Sequence, residues 1–161
     1  MEIRRFFVEP SDINGTFVTL TGDEFLHMVK VLRYKVGFKA IVCANDGVER
    51  LCTVKEIGKD FATLVIDKET AVDVKKAHVT LFAGLLKNNK LDFVFQKAVE
   101  LGVDKIVPFV AANCAETKFS QDRAEKIALE AAKQCGSAYL SKVGALENFD
   151  AVLSSFKDFD T

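Results

Sequence analysis

The sequence has almost no net charge and no long hydrophobic run. Its 161 residues include 22 Lys+Arg and 23 Asp+Glu, so the formal net charge is −1. This balance excludes a uniformly basic nucleic-acid coat, although a local basic patch is still compatible with it. No apolar run approaches the ~18 residues that a membrane helix needs. The first five residues (MEIRR) have no apolar segment behind them, so we expect a cytoplasmic protein with no signal peptide and no membrane association.

The sequence also lacks the spacings of common metal, nucleotide and hydrolase sites. No two cysteines form a C-x-x-C pair, and the two histidines, His27 and His78, are far apart. A zinc site is therefore not expected, and the cysteines are expected to be reduced and mostly buried. The motifs G-x-G-x-x-G, G-x-x-x-x-G-K-[ST] and G-x-S-x-G are absent, so the common dinucleotide, P-loop and hydrolase sites are not indicated.

The first 72 residues read as a β-rich domain with one helix. Alternating or β-branched runs predict strands at 4–8, 16–20, 38–43, 48–57 and 61–66. Thr21 and Glu24 fit a capping box. After them Phe25, Met28, Val29 and Leu32 form one apolar helical face. A small barrel of short antiparallel strands is the natural arrangement, followed by a polar linker over 67–77.

From residue 78 to residue 161 the pattern becomes α/β. Apolar strands are predicted at 78–86 and 105–110, and each is followed by a helix. The first helix starts at Asn89 and ends at Gly102, and the second lies between Ser120 and Gly136. The inward faces are predicted to be 91, 94, 95, 98 and 101 on the first helix, and 124, 127, 128, 131 and 135 on the second. A last stripe (149, 152, 153, 156) ends the pattern. Strand–helix–strand–helix order predicts a parallel sheet.

The strongest functional signal is an acid-free stretch between Phe25 and Asn45. The candidate RNA-binding residues there are His27, Lys30 and Arg33, which we place on the helix side opposite the apolar face. Arg4 and Arg5 add two positive charges, and Lys87 and Lys90 follow the first α/β strand. A solvated helix face is the alternative interpretation, and His27 also fits a general base or a half-buried helix residue. No catalytic residue is assigned from this pattern.

Four segments together resemble one known family. They are 4–8 (RRFFV), 27–33 (HMVKVLR) with Gly37, 96–103 (QKAVELGV) with Ile106 and Pro108, and 130–134 (EAAKQ). Their order and spacing resemble the RsmE family, the 16S ribosomal RNA uracil N3-methyltransferases of the SPOUT superfamily. The resemblance extends over essentially the whole chain. It departs from the family pattern at Asn113, Ala124 and Ser137, where family members often carry Arg, Trp and Arg.

The resemblance implies a fold, a cofactor and partners. It implies a PUA-like RNA-binding β-barrel over 1–72 and the first part of a knotted, parallel-sheet SPOUT methyltransferase domain over 78–161. It further implies S-adenosylmethionine as cofactor, 16S rRNA of the small ribosomal subunit as partner, and a homodimer in the full-length form. The family's glycine-rich cofactor loop would lie beyond residue 161, so no cofactor-binding residue is assigned and we expect this chain alone to be inactive. A non-catalytic RNA-binding module and an unrelated small-molecule α/β protein are the alternatives.

Overall fold

A computed structural model describes residues 3–72, 77–87, 90–114 and 117–159. The chain divides into two compact units, residues 1–74 and residues 75–161. The predicted helix start at Asn89 lies outside the described residues. No helix in the described segments is long and apolar enough to cross a bilayer.

Unit 1 is built on a six-stranded sheet. Its strands are β1 (Arg4–Phe7), β2 (Ile13–Asn14), β3 (Phe17–Leu20), β4 (Lys39–Cys43), β5 (Val48–Ile57) and β6 (Ala62–Ala71). Their order is β1-β4-β5-β6-β3-β2, with β1 parallel to β4 and every other pairing antiparallel. The sheet curls around one core, because Phe6 of β1 and Leu20 of β3 belong to the same buried cluster although three strands separate them.

The predicted linker over 67–77 is wrong for its first part. β6 continues to Ala71, which pairs with Val48 of β5. Residues 67–71 are exposed, so no apolar alternation indicated a strand there. This end of β6 forms because the backbone of β5 provides hydrogen-bonding partners for it. Such backbone pairing leaves no apolar pattern in the sequence.

A short helix closes one end of this core. α1 (Gly22–Leu26) continues into a π-helical turn over His27–Val31, where the N–H of Leu32 donates to the carbonyl of His27. The predicted apolar face is confirmed, since Phe25 and Met28 are buried in the core. Thr21 is the N-cap residue as predicted, but the predicted capping box is wrong, because the Thr21 side chain makes no capping hydrogen bond. The Glu24 carboxylate instead accepts a hydrogen bond from the N–H of Phe7, at 3.3 Å, and so ties the helix to β1.

Unit 2 contains a parallel sheet with helices. Its elements are β7 (Thr80–Gly84), α2 (Lys90–Glu100), β8 (Lys105–Val110), α3 (Gln121–Cys135), β9 (Lys142–Val143), β10 (Glu147–Asn148) and α4 (Phe149–Ser155). β8 is central: β7 pairs with one side, and β9 and β10 pair with successive parts of β8, all in parallel. The parallel sheet predicted from strand–helix alternation is confirmed. The sequence reading missed β9 and β10, which are two residues each.

The helix ends of unit 2 follow the prediction, but parts of the inward faces do not. Ser120 accepts a hydrogen bond from the N–H of Arg123, and Gly136 takes the left-handed conformation at φ +75°. Leu101 was predicted inward but is 84% exposed, because it lies in the turn after α2. Cys135 is exposed as well, at the last position of α3.

The last apolar stripe is only partly buried. Val152 of α4 is in the core, whereas Phe149, Leu153 and Phe156 are about half exposed. Two of their rings reach the sheet: Phe149 lies 5.8 Å from Phe109 and Phe156 lies 5.7 Å from Phe82, measured between centroids. α4 therefore covers one face of β7 and β8 incompletely in the described part of the unit.

Candidate functional site

Five exposed basic residues lie in segments that meet at one corner of unit 1. β1 and β4 start side by side, since Arg4 pairs with Ala40 and Lys39 precedes that residue. The hydroxyl of Tyr34 accepts a hydrogen bond from the N–H of Arg4 at 3.2 Å, and this contact brings the segment after the π turn to the same corner. We call Arg4, Lys30, Arg33, Lys35 and Lys39 the basic surface.

Aromatic rings hold this corner in place. The ring of Phe6 meets Tyr34 edge-on at 5.7 Å and His27 at 6.3 Å, and Tyr34 meets Phe38 in the same manner. His27 is half-buried, as the structural interpretation of that residue expected. These contacts anchor the backbone at His27, Tyr34 and Phe38, next to the positions of the cations.

Arg33 does not lie on the helix, contrary to the predicted arrangement. The π turn ends at Val31, and Arg33 adopts a positive φ of +54° in the segment that follows. A non-glycine residue in this region is uncommon and carries a strain of order 1 kcal/mol or more, a feature that clusters at functional sites. The Arg33 side chain remains exposed, so it still belongs to the basic surface.

Arg5 is the candidate that the fold uses for its own structure. Its guanidinium donates to Glu49 at 2.7 Å and to the Cys43 sulfur at 2.9 Å, and its side chain is 9% exposed. Strand alternation places Arg4 and Arg5 on opposite faces of β1, so Arg5 faces Glu49 while Arg4 is exposed. Burial raises the pKa of the Cys43 thiol, with Arg5 partly opposing that effect. Arg5 is therefore not available to a phosphate in this structure.

The remaining cationic candidates lie in unit 2. Lys87 and Lys90 are exposed, and they bracket the step from β7 to α2. The three departures from the family pattern also lie in this unit. Asn113 is exposed, Ala124 is buried on α3, and the Ser137 hydroxyl donates to the carbonyl of Tyr139 at 2.7 Å. Ser137 thus stabilises the turn after α3, while nothing in the structure explains Asn113.

Two of the resemblance segments meet in a groove that the sequence reading did not anticipate. The groove has a volume of about 280 Å³ and lies between α2 and α3, and its lining residues are Gln96, Lys126, Ile127, Glu130, Ala131 and Gln134. The two helices are also joined by an ion pair between Arg123 and Asp92. The sequence did contain a signal for this groove, because Gln96 and Glu130–Gln134 belong to two of the segments that resemble the family.

A small network lies at the end of α2. Lys97 donates to Glu100 at 2.7 Å, and the side-chain amide of Gln96 donates to the other oxygen of Glu100 at 3.0 Å. The hydrogen bond from Lys97 lowers the pKa of the Glu100 carboxyl.

Within the described segments no group of three His, Cys, Asp or Glu side chains is arranged to hold a metal ion. All four cysteines are free thiols, of which Cys43 and Cys52 are buried.

Comparison with known protein families identifies both units. An RNA methyltransferase domain model matches residues 73–161, and an RNA methyltransferase PUA domain model matches residues 20–67. The chain belongs to this RNA methyltransferase family. The predicted resemblance and the predicted fold, a PUA-like unit followed by a methyltransferase unit, are confirmed.

Individual relatives agree with this assignment. Ribosomal RNA small subunit methyltransferase E of Bacillus subtilis is 32% identical over 98% of this chain and 66% of its own length. The Borreliella burgdorferi methyltransferase E 2 is 26% identical over 96% of this chain and 66% of its own length. The chain therefore spans about two thirds of the length of the curated relatives it matches.

Solved structures share the fold. A Thermotoga maritima structure described as a predicted RNA methyltransferase has a TM-score of 0.76 and 26% identity, covering 91% of this chain and 67% of that one. A Neisseria gonorrhoeae ribosomal RNA small subunit methyltransferase E bound to S-adenosyl methionine has a TM-score of 0.83 at 22% identity, covering 96% and 66%. The second likeness supports the fold of this family member.

Proposed function

We propose that this protein acts in S-adenosylmethionine-dependent methylation of N3 of a uridine in 16S rRNA of the small ribosomal subunit. The observation that carries the proposal is the match of both units to RNA methyltransferase models, together with relatives named as small subunit rRNA methyltransferases. The proposed setting is the cytoplasm, and the proposed oligomer of the full-length form is a homodimer. We further propose that the 161 residues alone do not transfer a methyl group.

In this proposal residues 1–72 bind RNA and residues 78–161 belong to the methyltransferase domain. The basic surface makes the RNA contacts in unit 1, because Lys and Arg side chains neutralise phosphates. The RNA affinity that these contacts provide falls as the salt concentration rises. Lys87 and Lys90 are proposed as further phosphate contacts of unit 2. Arg5 is omitted because Glu49 already pairs with it.

The reaction places demands on how the RNA is held. N3 lies on the Watson–Crick edge of uracil, so the base must be unpaired or flipped out before it can be methylated. The N3 proton must be removed. This requires either a general base that accepts it or groups that stabilise the uracil anion formed by its loss. The methyl group then moves in line from the cofactor sulfonium, so positioning of the base carries much of the catalysis.

The groove in unit 2 does not lie where ligands of a parallel sheet bind. Ligands of open parallel sheets bind beyond the carboxyl ends of the strands. The groove described in unit 2 is lined instead by helix residues, and its lining combines charged and amide side chains with the apolar Ile127 and Ala131. We therefore assign no residue of this chain to S-adenosylmethionine and derive no step through it.

A chimaera tests the proposed activity. Residues 1–161 replace the matching two thirds of the Bacillus subtilis relative, and N3-methyluridine in 16S rRNA is measured by mass spectrometry of digested nucleosides. We expect product from the chimaera and none from the 161-residue chain. Product from the short chain would contradict the proposed inactivity.

The alternative function is a non-catalytic RNA-binding module, which the exposed basic surface of unit 1 would serve without a cofactor. A chimaera that binds both S-adenosylmethionine and 16S rRNA yet forms no N3-methyluridine would support this alternative. The Bacillus subtilis relative assayed in parallel shows that the RNA preparation is a competent substrate.

A further inference from the structure

Unit 1 exposes apolar side chains beside the basic surface. Leu26 is 48% exposed and Val31 is 68% exposed, although both lie on the helix that also supplies core residues. Burying such side chains against a ligand would be favourable by the usual hydrophobic term. A ligand that matches this part of unit 1 would have both apolar faces and negative charge.

The π turn is what brings Val31 outward. With α-helical winding of 100° per residue, Val31 would lie about 60° from the buried Met28. A π turn winds by roughly 80° per residue, because its hydrogen bonds span five residues rather than four. This winding moves Val31 towards the exposed side of the helix, the side on which Leu26 also lies. Such π turns occur frequently at functional sites.

Charge selects the class of ligand. Lys30 is exposed and precedes Val31 in the π turn, and exposed Arg33 follows the turn. No acidic residue occurs between Phe25 and Asn45, and Asp23 and Glu24 directly precede this stretch. Protein interfaces are depleted of lysine, whereas an unpaired nucleic-acid strand offers phosphates for the cations and base faces for the apolar groups.

We propose that Leu26 and Val31 form an apolar contact for unstacked bases of single-stranded RNA, while Lys30 and Arg33 hold the flanking phosphates. This inference rests on the proposed RNA binding of unit 1 and adds how the strand is held open. Proteins that distort nucleic acids insert aliphatic side chains against base steps in the same manner. A base kept unstacked here favours the splayed RNA that methylation at N3 requires.

The test separates base contacts from phosphate contacts. The 161-residue chain is titrated by fluorescence anisotropy with a short uridine-rich single-stranded RNA and with an abasic ribose-phosphate strand of equal length. The double variant Leu26→Ser, Val31→Ser is expected to bind the RNA about tenfold more weakly, from the apolar area that it removes. Its binding to the abasic strand and its salt slope are expected not to change.

Matched variants guard against an unfolded protein. Val31→Thr keeps the shape of the side chain. Leu101→Ser removes a leucine of unit 2 that is 84% exposed, and no change in RNA affinity is expected from it. Val31→Phe supplies an aromatic face and is expected to strengthen RNA binding about fivefold, with no gain for the abasic strand.

Each outcome decides one of the two proposals. If the unmodified chain binds neither strand, the proposed RNA binding fails and this inference fails with it. If binding depends on Lys30 and Arg33 but Leu26 and Val31 variants bind RNA normally, only this inference is overturned. A change of oligomeric state in the serine variants without loss of RNA affinity would assign the patch to a protein partner and also overturn it.

Discussion

Removing two cations from the basic surface should change the salt dependence of RNA binding by a defined amount. The perturbation is the double variant Lys30→Ala, Arg33→Ala. Both side chains are exposed, so their removal leaves the core of unit 1 intact. For single strands, log K falls with log salt at a slope of about −0.7 for each neutralised phosphate.

The five cations of the basic surface set the magnitude. If each neutralises one phosphate, the slope is about −3.5, and affinity falls roughly a hundredfold between about 50 and 200 mM salt. The double variant retains three contacts, so its slope is about −2.1 and the same change in salt costs roughly twentyfold. The assay is an anisotropy titration of single-stranded RNA at several salt concentrations.

The control is a variant with the same change in net charge at another place. Lys59→Ala, Lys68→Ala removes two exposed lysines from the β5–β6 hairpin of unit 1. Its slope should equal that of the unmodified chain. The reasoning is refuted if both double variants reduce the slope equally, because binding would then follow net charge rather than the geometry of this corner.

Three further predictions concern the stability and chemistry of the chain. Met28→Ala should destabilise unit 1 by about 2–5 kcal/mol in urea melts, because Met28 is fully buried and its truncation leaves a cavity. Burial raises the pKa of the Cys52 thiol to about 12, so a disulfide reagent should label exposed Cys135 in the native chain and Cys52 only after unfolding. The hydrogen bond from Arg50 lowers the pKa of Asp46, so its stabilising effect is present above the unfolded-state pKa of about 4 and is lost as the pH falls through the lower folded-state value. Acid melts of Asp46→Asn should show a weaker pH dependence than those of the unmodified chain; equal dependence would contradict the assignment.

Much of the fold was predictable where one face of an element is buried. β5 and β8 have the predicted bounds, 48–57 and 105–110, because their side chains pack against a core that demands apolar residues. β9 and β10 were not predictable, because they are two residues each and exist by pairing with β8. The exposed end of β6 was missed for the same reason.

The candidate site was predictable in composition but not in arrangement. The acid-free stretch identified Lys30 and Arg33, and both are exposed as expected. The ion pair of Arg5 depends on Glu49, which is 44 residues away in sequence. The groove between α2 and α3 likewise requires two helices to pack before its lining residues become neighbours.

The sequence by itself determined the two-unit order of elements, the helix ends at Ser120 and Gly136, and the family to which the chain belongs. These features depend on local periodicity, capping chemistry and motif spacing, which are properties of contiguous residues. Only the tertiary structure decided which arginine faces solvent and that the helix ends in a π turn. Glu49, 44 residues away in sequence, pairs with Arg5, and the ring of Phe6 on β1 packs against Tyr34 just after the π turn.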